Sequence, residues 1–209
     1  MGRNKKDNET RWDGGVLERG FSIPSANSVD GIVSFLKRIA DGHDTISKIS
    51  EVVDSSVGTV QGYVEACWQL GLIGREKKEK GYRYFPTKLG MRVLKASDWG
   101  RKKILQEVVF SYPPFRAIAS YLKGGGRDIG ELGEFLRDWF NASWSEETYK
   151  AKARVLLSWG TQLNLFRKYK KNKGIVIYEL GPEGRRFLER ERPFIYTLKT
   201  SIRGRDKEL

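Results

Sequence analysis

The chain has 209 residues and a mass of 24.0 kDa, enough for one large domain or two modules of about a hundred residues each. Lys and Arg number 39 against 26 Asp and Glu, a net charge of +13, while 39 % of residues are hydrophobic and 12 % aromatic. That apolar content excludes a disordered basic tail, no apolar run approaches the ~20 residues of a membrane span, and one Cys with one His leaves neither an internal disulfide nor a plausible zinc site.

The first 27 residues mix Gly, Asn and charge without periodicity and read as a mobile arm. From Ser28, a good N-cap, Ile32, Phe35, Leu36 and Ile39 recur at helical spacing until Asp41-Gly42-His43-Asp44 stops the helix. Ile46, Ile49, Val52 and Val53 predict a short second helix from near Thr45. Asp54-Ser55-Ser56 then caps a third, whose inward stripe is read as Val57, Val60, Val64, Cys67 and Trp68. Gly71 closes it as a C′ glycine. The charged run from Arg75 to Lys80, followed by Gly81-Tyr82-Arg83-Tyr84-Phe85, predicts a β-hairpin, and Pro86-Thr87 leads into a helix through Leu89, Val93 and Leu94. Helix, short helix, turn, longer helix and hairpin is the order of a winged helix-turn-helix.

Residues 102–110 predict an apolar-faced connector helix, and a second unit follows. Pro113-Pro114 opens its first helix, Gly124-Gly125-Gly126 ends it, and Ile129 to Phe140 supplies the second. The pattern Ser143-Trp144-Ser145-Glu146 reads as a capping box before a third helix reaching Leu163. A wing follows, with Arg167, Lys168, Lys170, Lys171, Lys173 and the strand Ile175-Val176-Ile177-Tyr178. Leu163-Asn164-Leu165-Phe166 stands 93 residues after Leu70-Gly71-Leu72-Ile73, and the stretch from Gly184 to Leu188 stands 94 after that from Gly90 to Leu94. A single long period of this kind predicts duplicated modules. The expected organisation is an arm (1–27), a first winged helix (28–95), a connector (96–111), a second winged helix (112–190) and a basic tail (191–209). The expected fold class is mainly α with small β-hairpins.

Ile46 to Ile73, with the basic hairpin and the entry Pro86-Thr87-Lys88-Leu89-Gly90, resembles the winged-helix domain of transcription regulators. The part from Tyr84 to about Lys170 also resembles the AAA-associated C-terminal domain of nitrate- and sulfonate-type transporter ATPases. That likeness is carried by Pro86-Thr87-Lys88-Leu89-Gly90, by Arg101-Lys102-Lys103-Ile104 and by the Ser158-Trp159-Gly160 region. The chain lacks the G-x-x-x-x-G-K-[ST] phosphate loop of such ATPases.

A net charge of this size points first to nucleic acid and second to an anionic membrane or an acidic protein. Wing cations Lys77, Lys78, Lys80 and Arg83, with Lys168, Lys170, Lys171 and Lys173, are expected to lie along a phosphate backbone and displace its counterions. With Val57, Val60, Val64 and Trp68 inward, the third helix of the first unit offers Ser55, Ser56, Thr59, Gln61 and Tyr63 to a duplex, with Gly62 and Gln69 also turned outward. Gly58 and Gly62 fit either a close backbone approach to DNA or tight packing on a neighbour. In the second unit the third helix offers Ser145, Tyr149, Lys150, Lys152 and Arg154, whose cations either grip phosphates or form a solvated face. Cys67 reads as a small core residue and His43 as a surface turn residue.

These features predict a protein that binds double-stranded DNA, a prokaryotic-type transcription regulator or another DNA-site binder, acting as a monomer or homodimer. Its expected location is the cytoplasm, on the nucleoid. No catalytic residue, metal or cofactor is expected, and no enzymatic activity. The alternative is a protein–protein adaptor module with a protein partner.

Overall fold

The computed structural model describes residues 21–171 and 174–190. Within them the chain is mostly helical, with two small antiparallel sheets, an α+β fold as the sequence predicts.

The first unit contains α1 (Val29–Ala40), α2 (Ile46–Val52), α3 (Val57–Gln69), the strands β1 (Ile73–Lys78) and β2 (Gly81–Pro86), and α4 (Lys88–Lys95). Each helix start is set locally. The side chains of Ser28, Thr45, Ser56 and Thr87 each accept a backbone N–H from the first turn of the helix they precede, satisfying a donor the helix leaves unpaired. Strands β1 and β2 pair from Ile73↔Pro86 to Lys78↔Gly81, closed by Glu79-Lys80 with Gly81 at φ 97°. From Arg75 outward the hairpin stands in solvent.

Helix α5 (Asp98–Ser111), capped by Ser97, leads into the second unit. Its Leu105, Val108, Val109 and Phe110 are buried, and the buried Gln106 donates from Nε2 to the Leu163 carbonyl at 2.8 Å. The second unit comprises α6 (Pro113–Leu122), β3 (Arg127–Asp128), α7 (Ile129–Trp139), α8 (Glu146–Gln162), β4 (Phe166–Lys170), β5 (Val176–Leu180) and α9 (Pro182–Arg190). Its sheet has the order β3-β5-β4. The two-residue strand β3 is a difference from the sequence expectation, because two residues carry no alternation to read. The capping box also lies elsewhere: it joins Asp128 and Glu131 at α7, whereas α8 is capped by Ser145 and not by Ser143.

The same local bonds close both units. Leu72 N donates to Cys67 O at 2.8 Å, and Leu165 N to Gly160 O at 2.7 Å. The residue between takes the left-handed conformation in each, Gly71 at φ 68° and Asn164 at φ 58°. Asn is among the few non-glycine residues that tolerate it. The carbonyl of Leu72 then accepts from Thr87 N at 3.0 Å, and that of Leu165 from Gly181 N at 2.8 Å. A glycine packs over each carbonyl: a Cβ on Gly90 would stand 2.1 Å from Leu72 O, and one on Gly184 would stand 2.2 Å from Leu165 O.

Buried residues of both units and of α5 form one continuous hydrophobic core. It includes Ile23 and Ala26, 3 % and 1 % exposed, from the stretch expected to be a mobile arm. Residues 21–27 are instead a packed strap. Residues 1–20 of the expected arm and the basic tail 191–209 lie outside the described residues. No helix among the described residues is long and apolar enough to cross a membrane.

Candidate nucleic-acid interface

The strap decides which parts of the two third helices reach solvent. It hydrogen-bonds to α8 mainly through its own backbone carbonyls. Lys152 Nζ donates to Ile23 O at 2.9 Å, Trp159 Nε1 to Ala26 O at 2.6 Å, Ser158 Oγ to Asn27 O at 2.7 Å and Gln162 Nε2 to Asn27 O at 2.8 Å. Tyr112, at the α5–α6 corner, donates its hydroxyl to Ser22 O, and burial pushes that phenol's pKa up. On α3 the strap covers the side opposite the core. Gln69 donates from Nε2 to Ser22 Oγ at 3.1 Å and to Glu65 Oε1 at 2.8 Å, and Ser22 donates to Glu65 Oε1 at 3.0 Å. A Cβ on Gly62 would stand 2.5 Å from Ser25 O.

Three expectations for α3 are corrected by the structure. Gly62 and Gln69, expected outward, are buried under the strap. Val57, expected inward, is 54 % exposed, because as the first helical residue it projects past the end of the core. Tyr63 stacks on Phe35 with ring centroids 4.6 Å apart, and its ring covers Gly31, so it belongs to the α1–α3 contact and not to a reading surface. What remains open is the N-terminal half of α3. Ser56, Gly58, Thr59 and Gln61 are exposed, Ser55 is half-buried, and Gly58 has open space where a side chain would be. For Gly62 packing is the reason for glycine, while Gly58 has no neighbour to accommodate.

The wing cations differ in how they are held. Lys77 and Lys80 are exposed near the tip of the first hairpin, and Lys78 pairs with Glu76 at 2.9 Å. Arg83 is tied down: its Nε is 2.5 Å from Asp44 Oδ2, and Asp44 also accepts from Lys48 Nζ at 2.8 Å. The hydrogen bond from Lys48, then that from Arg83, holds the Asp44 carboxyl below its ordinary pKa. With Tyr84 N also donating to Asp44 O at 2.8 Å, the α1–α2 turn holds the wing, and Arg83 serves to seat it. In the second unit Lys168, Lys170 and Lys171 are exposed on β4 and just beyond it, and Lys173 lies outside the described residues.

On α8 Lys150 is half-buried and pairs with Glu146, whose carboxyl is lowered by that hydrogen bond and charge. It is therefore already neutralised by its own helix, and Tyr149, expected on the outward face, is instead buried against Gly133 of α7. Arg154 is exposed; burial raises the pKa of the Tyr178 phenol on β5, and the Arg154 charge offsets part of that rise. Lys152, on the same helix, is engaged by the strap and by the Trp144 ring 5.4 Å away, and desolvation lowers its pKa.

A cleft of about 470 Å³ opens between the strap, the open part of α3 and the base of the first wing, lined by Ser25, Gly58, Gln61, Glu65, Trp68 and Arg75 among others. By sequence Arg75 is one wing cation among several. In the structure its guanidinium lies 3.8 Å from the Trp68 ring centroid and 4.5 Å from that of Tyr82, a pair of contacts joining α3 to both strands of the wing. Strand alternation could have hinted at the Tyr82 pairing, but the Trp68 contact crosses elements. Among the described residues no three His, Cys, Asp or Glu side chains gather where they could hold a metal ion.

The fold is similar to that of a known enzyme. The structure of the restriction endonuclease FokI matches with a TM-score of 0.61 at 14 % sequence identity, over 85 % of this chain and 49 % of that one. The chain thus spans about half the length of the enzyme it resembles. A structure of the same endonuclease bound to DNA matches with a TM-score of 0.49 at 19 % identity, over 65 % of this chain and 30 % of that one. No protein-family model matches the chain, and no curated protein does, so the resemblance to transporter ATPase domains finds no support there. One expectation is overturned. The sequence pointed away from enzymes, yet the fold recurs in a restriction endonuclease.

Proposed function

We propose that the chain binds double-stranded DNA, reading it with the open N-terminal half of α3 and gripping its phosphates with both wings. The observation that carries this reading is the pairing of an uncovered small and polar helix face (Ser56, Gly58, Thr59, Gln61) with exposed wing lysines, Lys77 and Lys80, on the next element. Small and amide side chains allow close approach and hydrogen bonding to base edges, and lysines displace counterions from the backbone. The exposed Lys168, Lys170 and Lys171 support a second grip by the module at 112–190, with α3 and α8 held in fixed relation by the strap. Transcription regulation and site recognition for a DNA-cutting enzyme are both roles for such a unit. The likeness to a restriction endonuclease supports the second.

Duplex binding measured by fluorescence anisotropy over a salt series tests the reading. Lys77, Lys78 and Lys80 changed together to Glu should weaken binding to every duplex, and the slope of log affinity against log salt should fall by ~0.9 for each phosphate no longer neutralised. Lys168, Lys170 and Lys171 changed together should do the same. No salt-dependent binding by the wild-type chain would overturn the reading in favour of a protein-adaptor module.

A further inference from the structure

Resting on the duplex-binding reading, we propose that Arg75 is a base-reading residue that takes the O6/N7 edge of a guanine whose major-groove edge faces the cleft beside α3. Among the described residues the Arg75 guanidinium meets two aromatic faces and no carboxylate. Its neighbours on the wing differ: Arg83 is bound to Asp44 and Lys78 to Glu76. Both contacts are made by the guanidinium with ring faces, and no hydrogen bond or ion pair among the described residues takes its N–H donors, so the side chain is held in place with its fork still able to bind. An arginine fixed in this way has already given up the rotamer freedom that binding would otherwise cost.

The surroundings favour a base over a phosphate. Glu65 lines the same cleft, fixed by Ser22 and Gln69, and its charge opposes an anionic phosphate there while leaving a neutral base unpenalised. Gly58, also lining the cleft, leaves open space where a side chain would stand, and Gln61 adds an amide donor and acceptor. A planar fork matching two acceptors is the geometry by which arginine recognises guanine in the major groove. Arg75 thus supplies sequence discrimination, whereas the lysines at the wing tip supply affinity.

The test starts with selection of preferred duplexes from a random pool by the full chain. Affinities for the selected duplex, its single-base-pair variants and an unrelated duplex are then compared between wild type and Arg75→Lys, which keeps the charge over the rings but removes the fork. We expect Arg75→Lys to lose about tenfold or more in affinity for the selected duplex, confined to one G·C pair, with binding to the unrelated duplex and the thermal midpoint unchanged. Replacing that guanine by 7-deazaguanine, which lacks N7, should weaken wild type and leave Arg75→Lys unaffected. An equal loss on all duplexes with a smaller salt slope would make Arg75 a phosphate contact and overturn the proposal. Unchanged discrimination would reduce it to a staple between wing and α3. Salt-dependent binding with no sequence enriched would also overturn it while leaving the duplex-binding reading intact.

Discussion

Trp159 in α8 donates its indole N–H to the carbonyl of Ala26, 2.6 Å away, and both residues are buried. A bond between residues 133 positions apart fixes the strap to the second unit, while Gln69 and Gly62 fix the same strap to α3. The two third helices are thereby joined through a short stretch, 21–27, that carries almost no periodic signal.

Trp159→Phe keeps a ring in the core but leaves the Ala26 carbonyl without its donor. A buried acceptor left unpaired costs ~1–3 kcal/mol, to which the smaller ring volume adds. Urea unfolding should show a lower midpoint in a single transition, since both units share one core. An unchanged midpoint would mean that the strap contributes nothing to stability.

Gly90→Ala and Gly184→Ala should each destabilise the fold by ~1–3 kcal/mol, because the added methyl meets a backbone carbonyl that cannot rotate away. Equal losses at the two sites would agree with their matched geometry. Gly58→Ala should do the opposite and raise stability by ~1 kcal/mol, since its helix position is open and Ala is the better helix former. If α3 approaches DNA closely there, the same variant should bind duplex more weakly despite its greater stability.

Asp44 gives the fold an acid-sensitive joint. Its carboxyl is held below the ordinary value of 3.8, first by the hydrogen bond from Lys48 and then by that from Arg83. Because the folded value is the lower one, the stabilisation is fully present above the unfolded value and is lost as pH falls through the lowered one. The wild-type thermal midpoint should therefore drop more steeply below about pH 4 than that of Asp44→Asn. Parallel curves would remove Asp44 from the account of acid stability.

Cys67 is fully buried, its thiol donates to the Ile32 carbonyl at 3.5 Å, and burial pushes its pKa up to about 12. Only the thiolate reacts with disulfide reagents. Labelling at about pH 8, near the pKa of a free thiol, should therefore be negligible in the folded protein and should rise in step with unfolding in urea. Fast labelling without denaturant would show that the α1–α3 core opens locally.

Much of the fold is legible in the sequence because it is set by local chemistry. Ser28, Thr45 and Ser56 cap their helices from adjacent residues, and Gly71 ends α3 in a conformation that few side chains tolerate. The wings follow from short strands around Gly81 and Gly174, and their lysines are exposed because a hairpin standing in solvent cannot bury them. The open face of α3 is only partly legible. Helical periodicity identifies the stripe Val60, Val64 and Cys67, which faces the core, but says nothing about what covers the opposite side. The strap that covers Gly62 and Gln69 bonds to α8 largely through backbone carbonyls, which every residue possesses, so it leaves no side-chain signature. The stacking of Tyr63 on Phe35 and of Arg75 on Trp68 joins separate elements, and only their packing selects those partners from the many aromatic residues in the chain. Caps, turns and charge runs are neighbour-to-neighbour properties, so the elements and the basic wings can be read along the chain. Which half of α3 stays open is settled by a strap that lies beside it only after folding, through long-range contacts that have no local pattern.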